Sequence, residues 1–287
     1  MTLFGMARKP EDVIGQYKDI WLARASDPAS LAQGQDGGVV SALLIWGLAT
    51  GEIDGACTSK LSEERLWDAE PAVVTDAQGV LDTAGSRYTY SANPLALIKA
   101  AELGLTKVAL VGMSCQSSVP PVMSVRKVGK VARRFALNIG LLCSKTFDDA
   151  IFEELFEAKY GLKKADIKKM NIKGVFQIWM KNGDYHEVPL KECHQWTREG
   201  CKMCPDFAAE HADISTGGIG KFNDWTLTVV RTDLGREIIM KMLEDGAIEG
   251  RPGDDDPGAI ALMRKLSIKS RKRWPDFALA EPKLVEA

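Results

Sequence analysis

The sequence predicts an α/β protein with an α+β portion, in which an antiparallel hairpin is inserted into a parallel sheet core. Two observations carry this. Between residues 107 and 160 the chain reads strand, helix, strand, helix, the order of a parallel α/β unit. Further on, Asn182-Gly183-Asp184 separates two alternating runs, the chemistry of a tight β-turn.

In chain order, residues 37–48 place Val39, Val40, Leu43, Leu44 and Leu48 on one helical face, with Gly51 as the stop. Asn93-Pro94 opens a second helix, which Leu95, Leu97, Ile98 and Leu103 continue until Gly104. Val108-Ala109-Leu110-Val111 is the apolar run of a buried parallel strand, and residues 135–142 repeat it. Ile151, Phe152, Leu155 and Phe156 then recur at helical spacing within residues 147–160. Residues 175–181 and 185–190 form the hairpin. Residues 212–220 are glycine-rich, 225–231 alternate like a strand, and 234–243 and 259–268 read as helices. Gly253-Asp254-Asp255-Asp256-Pro257 is a solvated turn. The chain divides into an N-terminal extension (1–16), one domain (17–268) and a basic C-terminal tail (269–287), loose after Trp274.

The 287 residues are 45% hydrophobic and 26% charged, an ordinary globular composition, and a net charge of −2 gives no reason to expect nucleic acid as a partner. The longest apolar stretch, residues 37–50, is too short to cross a bilayer. The first residues lack the apolar region of a secretory signal, so the expected location is cytoplasmic. In that reducing compartment the six cysteines point to metal ligation rather than to disulfides.

Cys201-Lys202-Met203-Cys204 is a Cys-x-x-Cys pair, a spacing that lets two thiolates face one metal or cluster. It follows a hairpin and a polar linker, which argues against a thioredoxin-type redox pair. Cys115 and Cys143 each stand just past a predicted buried strand, where sites form in open α/β sheets. Four thiolates from three segments satisfy either a tetrahedral zinc or a four-iron cluster. One close pair with two distant singles favours iron over zinc, and buried inert cysteines are the plain alternative for each one separately. Cys57 is expected to be a packed small residue at a strand end. Cys193, beside His194, is expected to be a surface-loop thiol that could also complete a site.

Four segments now combine. They are Gln35-Asp36-Gly37-Gly38-Val39-Val40-Ser41-Ala42-Leu43-Leu44, Gly140-Leu141-Leu142-Cys143 with Phe147, Gly200-Cys201-Lys202-Met203-Cys204-Pro205-Asp206, and Ala212-Asp213-Ile214-Ser215-Thr216-Gly217. Over residues 17–268 this ordered set resembles the coenzyme F420 hydrogenase/dehydrogenase beta subunit family, with the F420-reducing hydrogenase branch nearest. The resemblance implies an iron–sulfur flavoprotein that binds FAD and one 4Fe-4S cluster, with Cys115, Cys143, Cys201 and Cys204 as cluster ligands. It implies coenzyme F420 as the hydride-exchanging substrate. The sequence departs from the family where Ser114 replaces a proline before Cys115, at residues 220–225, and near residues 173–177, which bears on the substrate more than on the cluster.

For the flavin, the resemblance points to Asp36, Gly37, Gly38 and Ser41 at a helix start, to Ser86, Arg87, Tyr88 and Thr89 in a hydroxyl-rich loop, and to Ser215, Thr216 and Gly217. Each has a plainer alternative: a helix-start glycine pair without ligand, a solvated turn, and a glycine-rich turn between strands. Arg87 suits a pyrophosphate. The run Lys127, Lys130, Arg133, Arg134 is either a solvated face or an attractor for FAD phosphates or the acidic tail of the deazaflavin. The run from Lys269 to Trp274 suits a surface or subunit contact. His211, Asp213 and Trp225 read equally as structural or catalytic. No acid–base residue is expected in the hydride step. The expected function is electron transfer between coenzyme F420, FAD, the cluster and a partner subunit such as a hydrogenase, within an oligomeric complex. The alternatives are a related flavin reductase with another substrate and a zinc-stabilised scaffold subunit.

Overall fold

The computed structural model describes residues 12–273. Its strands are β1 (Asp19–Ala25), β2 (Gly55–Leu61), β3 (Ala69–Val74), β4 (Val108–Met113), β5 (Phe135–Leu141), β6 (Ile167–Lys173), β7 (Val175–Met180), β8 (Tyr185–Pro189), β9 (Ile214–Gly217), β10 (Thr226–Val230) and β11 (Ile248–Pro252). The α-helices are α1 (Pro28–Gln33), α2 (Val39–Thr50), α3 (Ala77–Asp82), α4 (Ala96–Glu102), α5 (Ser114–Ser117), α6 (Val119–Val125), α7 (Gly129–Ala132), α8 (Ala158–Tyr160), α9 (Glu199–Lys202), α10 (Asp233–Glu244) and α11 (Pro257–Arg271).

Eight strands form one sheet in the order β11-β1-β10-β9-β5-β4-β2-β3. Only its centre, β2-β4-β5-β9, is parallel; β3 on one side and β10, β1 and β11 on the other pair antiparallel. The expected parallel sheet is therefore the middle of a mixed one. Connection length explains the difference. The short links from β2 to β3 and from β9 to β10 turn the chain back on itself, whereas helical crossovers join β2 to β4 and β4 to β5.

Alternation along β4 buries both of its faces. Val108 and Leu110 pack with Leu97 and Ala100 of α4. Ala109 and Val111 pack with Val39 and Leu43 of α2 and with Ile238 and Met242 of α10. Farther along the sheet, Leu22, Leu227 and Val229 pack on Ala259 and Met263 of α11. Helices thus cover both faces.

The hairpin forms with Gly183 at φ +98, and β6 joins it to make a three-stranded antiparallel sheet, β6-β7-β8. This small sheet has its own core, in which Phe152, Phe156 and Phe176 meet edge to face. The expected helix over 147–160 is irregular: Phe152–Glu157 makes a π-helical segment before α8, with Phe152, Leu155 and Phe156 still facing inward. The glycine-rich stretch expected as a possible turn contains β9, a buried strand. Cys57 lies inside β2 rather than at its end.

Ile14 and Gln16, before the expected domain start, are bound into the structure through Arg231. This arginine is 5% exposed. Its Nε donates to Ser215 Oγ at 2.6 Å, Nη1 to the Ile14 and Gln16 carbonyls at 2.9 and 3.0 Å, and Nη2 to the Ala208 carbonyl at 2.7 Å. At the other end, α11 continues past the expected boundary at residue 268 to Arg271. The tail after Trp274 lies outside the described residues.

Replacing Arg231 with methionine strands four acceptors in a dry interior, so Arg231→Met is expected to cost roughly 3–5 kcal/mol. Urea unfolding measures it. Arg231→Lys should recover only part of the loss, because one ammonium cannot span the same acceptors.

Candidate functional site

The register of β4 and β5 builds the first half of the site. Met113 pairs with Leu141 in parallel, so both strands end at the same edge and Cys115 and Cys143 each follow two residues beyond that pair. Cys115 sits in α5. Gln116 fixes that turn, accepting from the Met113 N–H at 3.2 Å and donating to the Ser91 carbonyl.

The Cys-x-x-Cys pair is brought to this edge from both sides of its own segment. Upstream, Phe147 and Thr197 form a β-bridge, and the Arg198 N–H donates to the Thr146 carbonyl at 3.1 Å. The Thr146 N–H and Oγ1 both lie 3.4 Å from Cys201 Sγ. Downstream, the Phe207 carbonyl accepts from the Cys143 N–H at 3.0 Å and from Ser114 Oγ at 3.1 Å, joining three segments at one atom.

The four thiols consequently share one field. Burial pushes Cys143 far up, and the charges of Cys115, Cys201 and Cys204 add to it. Cys115 is exposed as a residue, yet the protein packed around its sulfur, followed by Cys204 and Cys201, pushes its thiol up to about 11, and burial raises Cys204 with Cys201 contributing. Among the described residues no group of three or more His, Cys, Asp or Glu side chains is drawn together tightly enough to hold a single metal ion. The thiols interact at the longer range of charge on charge.

The other two cysteines lie elsewhere. Cys57 is fully buried under α4, and burial raises its thiol to about 12. Cys193 is also fully buried, in the core of the small sheet, with its thiol raised to about 11. Its expected surface-loop position is thus corrected: Trp196 and the β6-β7-β8 core cover the turn that carries it.

The start of α2 builds the second half. Gly38 caps the helix at φ +65 without a side-chain hydrogen bond, leaving the first turn's N–H groups facing outward from the helix end. The two glycines are also required by packing. A Cβ on Gly37 would meet the backbone of Ala23 and Thr226, and one on Gly38 would strike the Ser30 carbonyl. Asp36, at φ +52, pairs with Lys173 Nζ at 3.0 Å, and the same ammonium donates to Asn223 Oδ1 at 2.9 Å. The Asp36 carboxylate occupies the space a side chain on Gly218 would need. Strand β6, the α2 start and the loops after β9 therefore converge here. Lys173 and Asn223 fall in the two segments where the sequence departs from the family pattern, 173–177 and 220–225, although neither was named there as a site residue.

Tyr88 links the two halves. Its phenol is raised by burial, with the charges of both Asp36 and Cys143 adding to the shift, and its hydroxyl lies 3.3 Å from Asn171 Oδ1. Ser86 hydrogen-bonds the same phenol. Ser41 is buried in the first turn of α2.

Other expected contacts are committed to the fold. Ser215 Oγ donates to the Ala209 carbonyl at 2.9 Å and accepts from Arg231, so its hydroxyl is occupied. Thr216 is buried in β9, and Gly217 packs against the Leu142 side chain. Thr89 Oγ1 bonds the Trp67 carbonyl and the Ala69 N–H. Arg87 donates to the carbonyls of Thr83, Gly85 and Ala84 beyond α3, and burial lowers it to about 10. Arg134 bonds the Leu105 carbonyl at the amino end of β4 and β5, the edge opposite the cysteines and about 20 Å away along the strands. That placement removes Arg134 from any phosphate site near α2. Asp213 accepts from the Asn138 N–H and from Thr232 Oγ1, a structural role.

Two family matches cover most of the chain. Residues 20–98 match the N-terminal part, and residues 105–256 the C-terminal part, of the coenzyme F420 hydrogenase/dehydrogenase beta subunit. The chain belongs to this family. Its relatives include a coenzyme F420 hydrogenase subunit beta from Methanothermobacter thermautotrophicus, 34% identical over 91% of this chain and 94% of that protein. A coenzyme F420-dependent sulfite reductase from Methanocaldococcus jannaschii is 35% identical over 84% of this chain but only 39% of its own length. A chain from a xenon-derivatized structure of the F420-reducing [NiFe] hydrogenase complex of Methanosarcina barkeri superposes with a TM-score of 0.87 at 30% identity, covering 93% and 92% of the two chains. The described residues of this F420 beta-subunit family member include no helix long and apolar enough to cross a membrane.

Cys57 and Cys193 should stay unmodified by a water-soluble maleimide in the native protein and react only in urea. Peptide mass mapping follows each site. Labelling of native Cys193 would contradict its burial.

Proposed function

We propose that this family member is the F420-handling oxidoreductase subunit of a redox complex, with FAD at the α2 start and a 4Fe-4S cluster at the cysteine edge. The observation that carries the reading is the meeting of Cys115, Cys143, Cys201 and Cys204 at one sheet edge, one tyrosine away from Asp36. When bound, FAD supplies the exchange between a hydride and single electrons, and the cluster supplies a one-electron carrier.

The residues fit both groups. Four thiols in one field, and without an imidazole among them, are the donor set of an iron–sulfur cluster. Burial and mutual repulsion favour the protonated thiols, a balance that a cationic centre reverses. The uncapped N–H groups at Gly38 offer an anion site at the positive end of α2. Asp36, held by Lys173, and Gly218 keep that wall fixed while leaving it free of side-chain bulk. Tyr88, packed edge-on against Phe176, holds an aromatic wall between the two halves. Arg87 Nε is a buried donor with no partner, one direction left open to a ligand after its other nitrogens have bonded the α3 end.

The chain's role would then be orientation: holding a planar substrate against a planar cofactor, close to the thiols that lead electrons onward. Relatives named for a hydrogenase and for a sulfite reductase suit one electron-input module serving different catalytic partners.

Protein purified without oxygen should be coloured and should release FAD on denaturation. Single Cys→Ser replacements at positions 115, 143, 201 and 204 should lower iron content, whereas Cys57→Ser and Cys193→Ser should not. Full iron in Cys143→Ser, or zinc in its place, would refute the cluster assignment. Rapid mixing with reduced coenzyme F420 should bleach the flavin and then the cluster, with NADH and NADPH as controls. Reduction by the nicotinamides alone would remove the deazaflavin from the assignment.

A further inference from the structure

A collar of positive charge surrounds the cysteine edge. Lys145 follows Cys143 by two residues, Arg198 precedes Cys201, and Lys269 and Arg273 come from the end of α11. Arg198 stands 3.5 Å above the Tyr90 ring and within the field of Cys115. Arg273 Nη1 donates to the Ser144 carbonyl at 2.6 Å and to the Cys201 carbonyl at 3.2 Å, gripping both cysteine-bearing segments. Lys145 directly follows Ser144, whose carbonyl Arg273 holds, and Lys269 stands about one helical turn before Arg273, which places these cations together.

None of the four has a carboxylate within 4.0 Å among the described residues, although their neighbour Lys202 pairs with Glu199. Asp206, in the field of Cys204, is the nearby acid that accompanies the thiols. Like charges gathered without counter-charges destabilise the free protein, and in a chain of net charge −2 they are a local excess. At the same edge Cys115 is exposed, and Met203, between Cys201 and Cys204, is 55% exposed, so a thiol and an apolar residue both meet solvent there. An apolar centre with a charged rim is the anatomy of a transient protein interface.

We propose that this face docks an electron-transfer protein that presents an acidic rim around its own redox centre, with Lys145, Arg198, Lys269 and Arg273 steering it onto the exposed Cys115 and Met203. The proposal rests on the reading of the cysteine edge as the site where electrons leave. Charge of one sign at an exit accelerates encounter with partners of the other sign and makes it salt-dependent.

The test uses the full chain and the double variant Lys145→Gln/Lys269→Gln, with Lys168→Gln/Lys169→Gln on β6 as control. A small acidic ferredoxin serves as the protein probe, and ferricyanide and hexaamminecobalt(III) as anionic and cationic acceptors. Ferredoxin binding, measured by titration calorimetry, needs no electron transfer. It should weaken between 20 and 500 mM salt, on the order of tenfold or more, and weaken at low salt in the double variant but not in the control. After reduction with reduced coenzyme F420, oxidation by ferricyanide should slow with salt and fall roughly three- to tenfold in the double variant, while oxidation by the cobalt complex should not fall. Salt-insensitive ferredoxin binding, or binding unchanged in the double variant, overturns the docking face. A raised KM for F420 in the double variant with ferredoxin binding unchanged assigns the collar to the anionic substrate and overturns it equally. Collar-dependent binding by a protein that no reductant bleaches upholds the docking face and refutes the redox reading instead.

Discussion

Parallel pairing of β4 with β5 is the constraint from which the rest of the site follows. Two parallel neighbours deliver their chain ends to the same edge, so residues two positions past Met113 and Leu141 arrive side by side without any special loop. Had either strand run the other way, Cys115 and Cys143 would stand at opposite edges of the sheet. The third parallel member, β9, then fixes the rest. Because Ile139 pairs with Ile214, the chain enters β9 only two residues short of the end of β5, and the segment from Cys201 to Asp213 has to pack beside that edge.

That segment is held by polar groups as well as by Phe207 and Ala208, which pack into the core with Leu227 and Met263. Asn138 Nδ2 donates to the Ser117 and His211 carbonyls, Asp213 answers the Asn138 backbone, and Arg231 reaches the Ala208 carbonyl from the opposite face. The donors of this network are all used, although Asn138 Oδ1 is buried without a partner, and a shift would leave those donors dry. The thiols therefore rest on a scaffold whose rigidity is set by residues that never touch them, which is what a site for a bulky inorganic group requires.

How much of this could be read from residues alone varied with how local the cause was. The hairpin was legible because Asn182-Gly183-Asp184 fixes its own turn, and β4 and β5 because a strand buried on both faces needs an unbroken apolar run. The cysteine edge was legible for the same reason. Strands β3 and β11 were not, because Ala69–Val74 carries Pro71 and Ile248–Pro252 is half exposed, so neither shows the alternation of a covered strand. Strand β9 reads as a turn, since Ser-Thr-Gly is buried only because Arg231 takes up the serine hydroxyl. Cys193 shows the same limit, since it looks exposed until the small sheet closes over it.

The same geometry divides the six thiols into two chemical fates. Cys57 and Cys193 lie in separate dry cores, out of contact with solvent. Cys115 is exposed and Cys143, Cys201 and Cys204 are half-buried around it. Oxidants that reach the protein from solution therefore meet first the cysteines of the β4–β5 edge. Sensitivity of its thiols to such oxidants is a property of one sheet edge, the end at which two parallel strands stop.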